Sequence, residues 1–268
     1  MADFTQQDLA GSRFEQVHLQ RATFREVHLN DADFADVDLT GSRFREVLFR
    51  DVVMRGSGFV NVRLEGDVEG LTVNGVDVGP LVQAELERRE PDLAKMRPTE
   101  PDGFREAWDT LERLWAGTVD RARALPEAAL HESVDDEWSF IETLRHLAFA
   151  TECWLYRAIL GEPRPWAPLS LPWDQMPDTE GVPRDRAARP TLDEALALRL
   201  DRQAAVRRYL DALDDATLAS DTVPVEAPGW PEPRSFPVRE CLLVLLNEEW
   251  WHRQFALRDL AVLEQRAA

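Results

Sequence analysis

The sequence is poor in cysteine: 268 residues contain two, Cys153 and Cys241, both inside apolar, helix-like runs. A disulfide framework is excluded as the source of stability, and a reducing compartment is the default. Lysine is nearly missing, with Lys95 alone among 31 basic residues. Fifty acidic residues leave a formal charge of −19, which excludes the basic face needed to hold nucleic-acid phosphates. Long hydrophobic runs are missing as well. The longest, 241–246, falls far short of the roughly 20 residues that span a bilayer. The first residues carry neither a basic n-region nor an apolar stretch. These absences predict a soluble, cytoplasmic protein with no nucleic-acid or membrane partner.

What the sequence does have is first a period of five. Phe4, Leu9, Phe14, Leu19, Phe24, Leu29, Phe34, Leu39, Phe44, Phe49, Met54, Phe59 and Leu64 form an unbroken row. Two places earlier stands a small or β-branched residue, from Ala2 and Ser12 to Val62, with Gln7 the exception. This period fits neither a helix nor a flat strand. A chain that turns a corner every five residues places both rows inward. That is a solenoid, a scaffold rather than a catalyst.

Units such as Asn30-Asp31-Ala32-Asp33-Phe34 resemble the pentapeptide-repeat family over about residues 2–66. The resemblance implies a right-handed quadrilateral β-helix with four pentapeptides per coil, so that thirteen units make a little over three coils. A stack that short needs a cap or a neighbouring domain. Some members resemble DNA in shape and charge and bind topoisomerases. Here eleven Asp or Glu stand against eight Arg up to Gly66, so the acidity lies mostly outside the repeat and disfavours mimicry.

After Leu64 the period fails. Glycines punctuate a Val-rich stretch, 68–78, read as a hairpin or last irregular coil, and 81–90 reads as a short amphipathic helix. Four long helical segments follow. The first covers 103–125. Ser139 with Glu142 forms a capping box for the second, ended by Gly161, and Thr191 with Glu194 caps the third, to about Leu213. Pro237 opens the fourth, which runs to about Gln265. The connections 162–190 and 214–236 are too long for passive links. The expected organisation is a repeat with an irregular cap over 1–80, a short helix and linker over 81–100, and an all-α four-helix bundle over 101–268.

His18 and His28 point out of the repeat and His131 follows the first bundle helix. His146 and His252 differ, each lying mid-helix among apolar residues on two different helices. Glu248 precedes His252 by four residues and Glu249 by three. Residues four apart share a side of a helix, which suits two ligands on one metal. Carboxylate and imidazole together suit Zn²⁺, Ni²⁺ or Fe²⁺. Projection at 100° per residue sets Glu249 closer than Glu248 to the apolar stripe of Leu242, Leu245, Ala256 and Leu260, so either carboxylate qualifies as the inward one. Cys153, two turns after His146, reads as a buried structural thiol. Trp166, Trp173, Met176 and Trp230 read either as loop packing or as an apolar wall beside a site.

Glu137-Trp138-Ser139-Phe140-Ile141-Glu142-Thr143-Leu144-Arg145-His146-Leu147 and Asn247-Glu248-Glu249-Trp250-Trp251-His252-Arg253 resemble the DinB-like superfamily over about 101–265. Many members bind a divalent metal through a His on the second helix and a His-x-x-x-His pair on the last. The resemblance implies His146, Glu248 and His252 as metal ligands, with Glu248 departing from the family's histidine. It also implies a thiol-dependent transferase or isomerase, using a low-molecular-weight thiol and a small electrophile. In that reading Glu249 is a candidate general base. The alternative is a non-enzymatic interaction protein, its bundle metal-free and its repeat docking a protein partner. Repeat ends and bundle faces both offer surfaces for a homodimer.

Overall fold

The structure is a computed structural model that describes residues 4–25, 27–44, 47–64, 66 and 68–267. It divides into two compact units, Met1–Leu64 and Glu65–Ala268.

In the first unit the period of five is written into the backbone. Gln6, Gly11, Gln16, Arg21, Asp31, Asp36, Gly41, Asp51, Gly56 and Asn61 all have positive φ, two places after members of the Phe/Leu row. A left-handed residue at fixed spacing redirects the chain at each step, and Gly, Asn and Asp tolerate it best. Four alternate corners are closed by turn bonds to a carbonyl three residues back, Ser12 N–H to Leu9 O, Ala22 N–H to Leu19 O, Ala32 N–H to Leu29 O and Ser42 N–H to Leu39 O. The expected corners are therefore present. The expected burial is not. Phe24 and Phe34 are 63% and 62% exposed, and Val27 and Val37 about half exposed. The physical reason is that, among the described residues, no strand lies in this unit and its backbone bonds join neighbours rather than successive coils. Among the described residues no second coil covers the row. Ala2 lies outside the described residues.

The second unit opens with a two-stranded hairpin, β1 (Thr72–Val73) and β2 (Val76–Asp77), paired antiparallel with Val73 opposite Val76. Helix α1 (Gly79–Arg89) and a 3-10 segment (Pro91–Met96) lead into the long helices. These are α2 (Pro101–Arg123), α3 (Phe140–Thr151), α4 (Leu192–Asp211) and α6 (Val238–Ala267), with a short α5 (Asp215–Leu218) between the last two. Each long helix packs against two others, α2 on α4 and α6, α3 on α4 and α6. That closes a four-helix bundle, as the spacing predicts.

Both capping boxes form. Ser139 Oγ accepts from Glu142 N–H at 3.3 Å while the Glu142 carboxylate accepts from Ser139 N–H at 2.9 Å. Thr191 and Glu194 repeat the arrangement at 3.2 and 2.8 Å. The expectation of one regular helix from Ser139 to Gly161 needs correction: beyond Thr151 the helix continues as a π-helix, Glu152–Ile159. No residue pattern announced that widening.

Two apolar clusters fill the bundle. One joins Phe104, Trp108, Leu111, Leu155, Val206, Leu242 and Trp250, the other Trp115, Phe140, Ile141, Leu144, Leu192 and Leu260. A third lies under the connections, where Trp166, Trp173 and Trp230 pack around Phe149, Cys153 and Met176. Among the described residues no helix is long and apolar enough to cross a membrane.

Because each box satisfies otherwise orphaned helix N–H groups, Ser139→Ala and Thr191→Ala should each cost roughly 0.5–2 kcal/mol in a urea melt. Unchanged midpoints would mean that these helix starts depend on packing alone.

Candidate metal centre

His146 sits on α3, and Glu248 and His252 sit one turn apart on α6. The contact of α3 with α6 brings the three together. His146 Nε2 lies 3.4 Å from Glu248 Oε2, and His252 Nδ1 lies 3.3 Å from the same oxygen. The two imidazole centroids are 4.9 Å apart. One ligand atom from each residue falls within 4.8 Å of the other two, the one such convergence of His, Cys, Asp or Glu among the described residues.

Proton positions follow from the partners. His146 Nδ1 faces the Leu171 carbonyl at 3.1 Å. A carbonyl only accepts, so Nδ1 carries the proton and a neutral His146 presents a lone pair at Nε2. That lone pair confronts a carboxylate oxygen. His252 Nδ1 likewise meets the Glu248 carbonyl at 2.9 Å. Glu248 Oε2 is buried and has no hydrogen-bond partner despite the two nearby nitrogens, although the side chain as a whole keeps 28% of its surface. A lone pair beside an orphaned carboxylate oxygen is what a cation needs. The 3.4 Å between His146 Nε2 and Glu248 Oε2 matches the edge of a tetrahedron with metal bonds of about 2.0–2.1 Å, which is roughly 3.3 Å, whereas the His252 atom at 3.3 Å is the protonated Nδ1, so Nε2 is the nitrogen that His252 has for a metal.

The electrostatics agree. Burial, and then the neighbouring His146, push the His252 imidazole down to about 4, so it is neutral and able to coordinate at pH 7. Burial raises the Glu248 carboxyl, but hydrogen bonding and charge from His146, and then charge from His252, outweigh it when those imidazoles carry a proton, and the net direction is downward. An ionised carboxylate between two imidazoles fits a divalent ion.

Glu249 is not part of the convergence. It is buried and bound in two parallel bonds by Arg199 of α4, at 2.9 and 2.5 Å. The guanidinium lies 4.5 Å above the Trp115 ring. Both carboxylates therefore turn inward, and the helical projection did not anticipate that a buried arginine claims one of them. Cys153 is buried, and burial holds its thiol well above the usual range, so it stands as a structural thiol.

Two features escaped the sequence reading. Trp138, immediately before the α3 cap, lies 4.4 Å from the His146 ring and 5.9 Å from the His252 ring, centroid to centroid. Its indole N–H donates to Asp174 at 3.1 Å, which ties it to the 162–190 connection. The other is the Leu171 carbonyl, which has no side-chain signature. The loop aromatics belong to the same neighbourhood: Phe149, 6.3 Å from His146, stacks on Trp166 at 5.3 Å.

The DinB superfamily matches residues 110–256, which hold the whole convergence. The chain belongs to the DinB superfamily. Pentapeptide repeats match residues 2–34 and 32–66. No curated protein matches. The superfamily match thus starts within α2 and ends within α6.

The two adjacent glutamates should separate cleanly. Glu248→Ala should weaken zinc binding by at least tenfold in competition with a chromogenic chelator, while Glu248→His keeps or raises affinity at unchanged spacing. Glu249→Ala should leave affinity within about threefold yet cost roughly 3–5 kcal/mol of stability, because it strands a buried guanidinium. A large loss of zinc binding on Glu249→Ala would reassign the ligand.

Proposed function

We propose that the DinB superfamily domain is a divalent-metal enzyme using a low-molecular-weight thiol on a small electrophile, in a transfer or isomerisation reaction. The observation that carries this reading is the orphaned Glu248 oxygen facing His146 and His252. When bound, zinc, nickel or iron supplies Lewis acidity that lowers the pKa of a thiol or water beside it. His146, held as the Nδ1–H form by Leu171, offers Nε2, and His252 offers a neutral imidazole. Glu248 balances half of a divalent charge. Trp138 shields the imidazoles from water on one side, and Phe149 with Trp166 supplies an apolar wall for the electrophile. Glu249, engaged by Arg199, serves the bundle. A general-base role for it requires that pair to open.

Elemental analysis of the purified chain tests the premise. Near-stoichiometric metal in the wild type, and its loss in His252→Ala together with thiol-dependent turnover, are expected. A wild type that binds no divalent ion under any loading condition would overturn the reading.

For the first unit the proposal is a quadrilateral β-helix, supported by the corner at every fifth residue and by the pentapeptide match. Stacked coils would make Phe24→Ala cost roughly 3–5 kcal/mol and the outward Arg25→Ala within about 0.5. If the row stays as exposed as described, urea melts of the two variants will coincide.

A second reading, an interaction protein whose repeat docks a protein partner, is favoured by that same exposed row of Phe, Leu and Val. Loss of a captured partner on Phe24→Asp with Phe34→Asp, in a chain that keeps its metal, would support it.

A further inference from the structure

Two arginines on the α3 and π-helical stretch, Arg145 and Arg157, are each 1% exposed. The hydrogen bonds described for both go to backbone carbonyls. Arg145 donates through Nε to Leu169 O at 2.7 Å, through Nη2 to Asp185 O at 2.5 Å, and through Nη1 to Ala188 O at 3.5 Å. Arg157 donates to Pro163 O, Pro231 O, Val225 O and Ala227 O. Burying a guanidinium is costly, and methionine or leucine fills similar space without the penalty. The return is a five-donor fork that grips loop carbonyls at fixed positions.

For Arg145 the gripped segment is the one that orients a proposed ligand. Residues 169–171 are attached to α3 at three successive points. Arg145 Nε–H donates to Leu169 O, Leu171 N–H donates to Arg145 O at 3.3 Å, and His146 Nδ1–H donates to Leu171 O at 3.1 Å. The first bond comes from the Arg145 side chain and the second from its backbone carbonyl, and together they set where the third acceptor sits, the side-chain bond being the one that a substitution removes. His252 needs no such help, since its Nδ1 partner is a carbonyl of its own helix.

We propose that Arg145 is a positioning residue for the metal centre, acting through residues 169–171 to hold His146 in the Nδ1–H form with Nε2 turned to Glu248. This rests on the metal reading above for its purpose but not for its test. Partners outside the coordination shell that orient a ligating histidine typically change metal affinity by roughly 10–100-fold.

The test uses nitrogen-15 imidazole spectra of the metal-free full chain, with zinc affinity measured in parallel. In the wild type His146 should show a single Nδ1–H tautomer. In Arg145→Met and Arg145→Lys both tautomers of His146 should be populated, zinc affinity should fall by about 10–100-fold, and His252 should be unchanged. The lysine variant keeps the charge and loses the fork, so its agreement with methionine assigns the effect to the carbonyl bonds. Arg157→Met is the structural control: it should lower the melting temperature and leave the His146 tautomer alone. A mixed or Nε2–H tautomer for His146 in the wild type would overturn the proposal, whatever the variants do. So would a folded Arg145→Lys or Arg145→Met that retains the single form. If the wild type shows the Nδ1–H form but binds no zinc, the metal reading falls while the positional role of Arg145 is still judged by the variants.

Discussion

An ionised carboxylate oxygen buried without a hydrogen bond is costly for a folded chain, and Glu248 Oε2 is such an atom. Contact between α3 and α6 sets two imidazoles within 3.4 Å of the oxygen. In the neutral form with Nδ1–H on the Leu171 carbonyl, His146 turns a lone pair to the oxygen, and the His252 Nδ1–H is engaged by the Glu248 carbonyl. The charge is therefore left for a cation to neutralise. A metal converts a cluster of acceptors from a liability into a source of binding free energy.

The neighbouring residue solves the same problem by a different route. Glu249 is about 100° around α6 from Glu248, enough to aim it at α4 instead of α3. There Arg199 meets it with two parallel bonds, and Trp115 covers the guanidinium. That pair is closed, with both partners almost fully buried. Two adjacent carboxylates of α6, one satisfied and one open, thus stand side by side. The buried arginines of α3 and its π-helical extension complete the division of labour by fixing loops through carbonyls, without engaging Glu248.

The pentapeptide unit follows a different logic. Its regularity resides in the backbone, where residues of positive φ recur at fixed spacing. Corners are local, set by each short segment and its turn bond. Burial is not local, because a row of phenylalanines is covered only when another coil or another surface lies against it. The exposed row and the faithful corners are therefore compatible within one unit.

The sequence by itself determined what depends on near neighbours. The corner period, the Ser139 and Thr191 caps, the four long helices and the pairing of Glu248 with His252 are all set within a few residues. So is the short list of His146, Glu248, Glu249 and His252, since polar residues embedded in apolar helices stand out. Tertiary structure decided the rest, because it joins residues distant in sequence, His146 with Leu171, Arg199 with Glu249 and His146 with Glu248. Helical projection leaves either of two adjacent glutamates as the inward one, and only the folded bundle shows that both turn inward, Glu249 onto Arg199. Trp138 and the Leu171 carbonyl reach His146 only through a folded loop. The π-helix after Thr151 is likewise recorded by no periodicity of side chains.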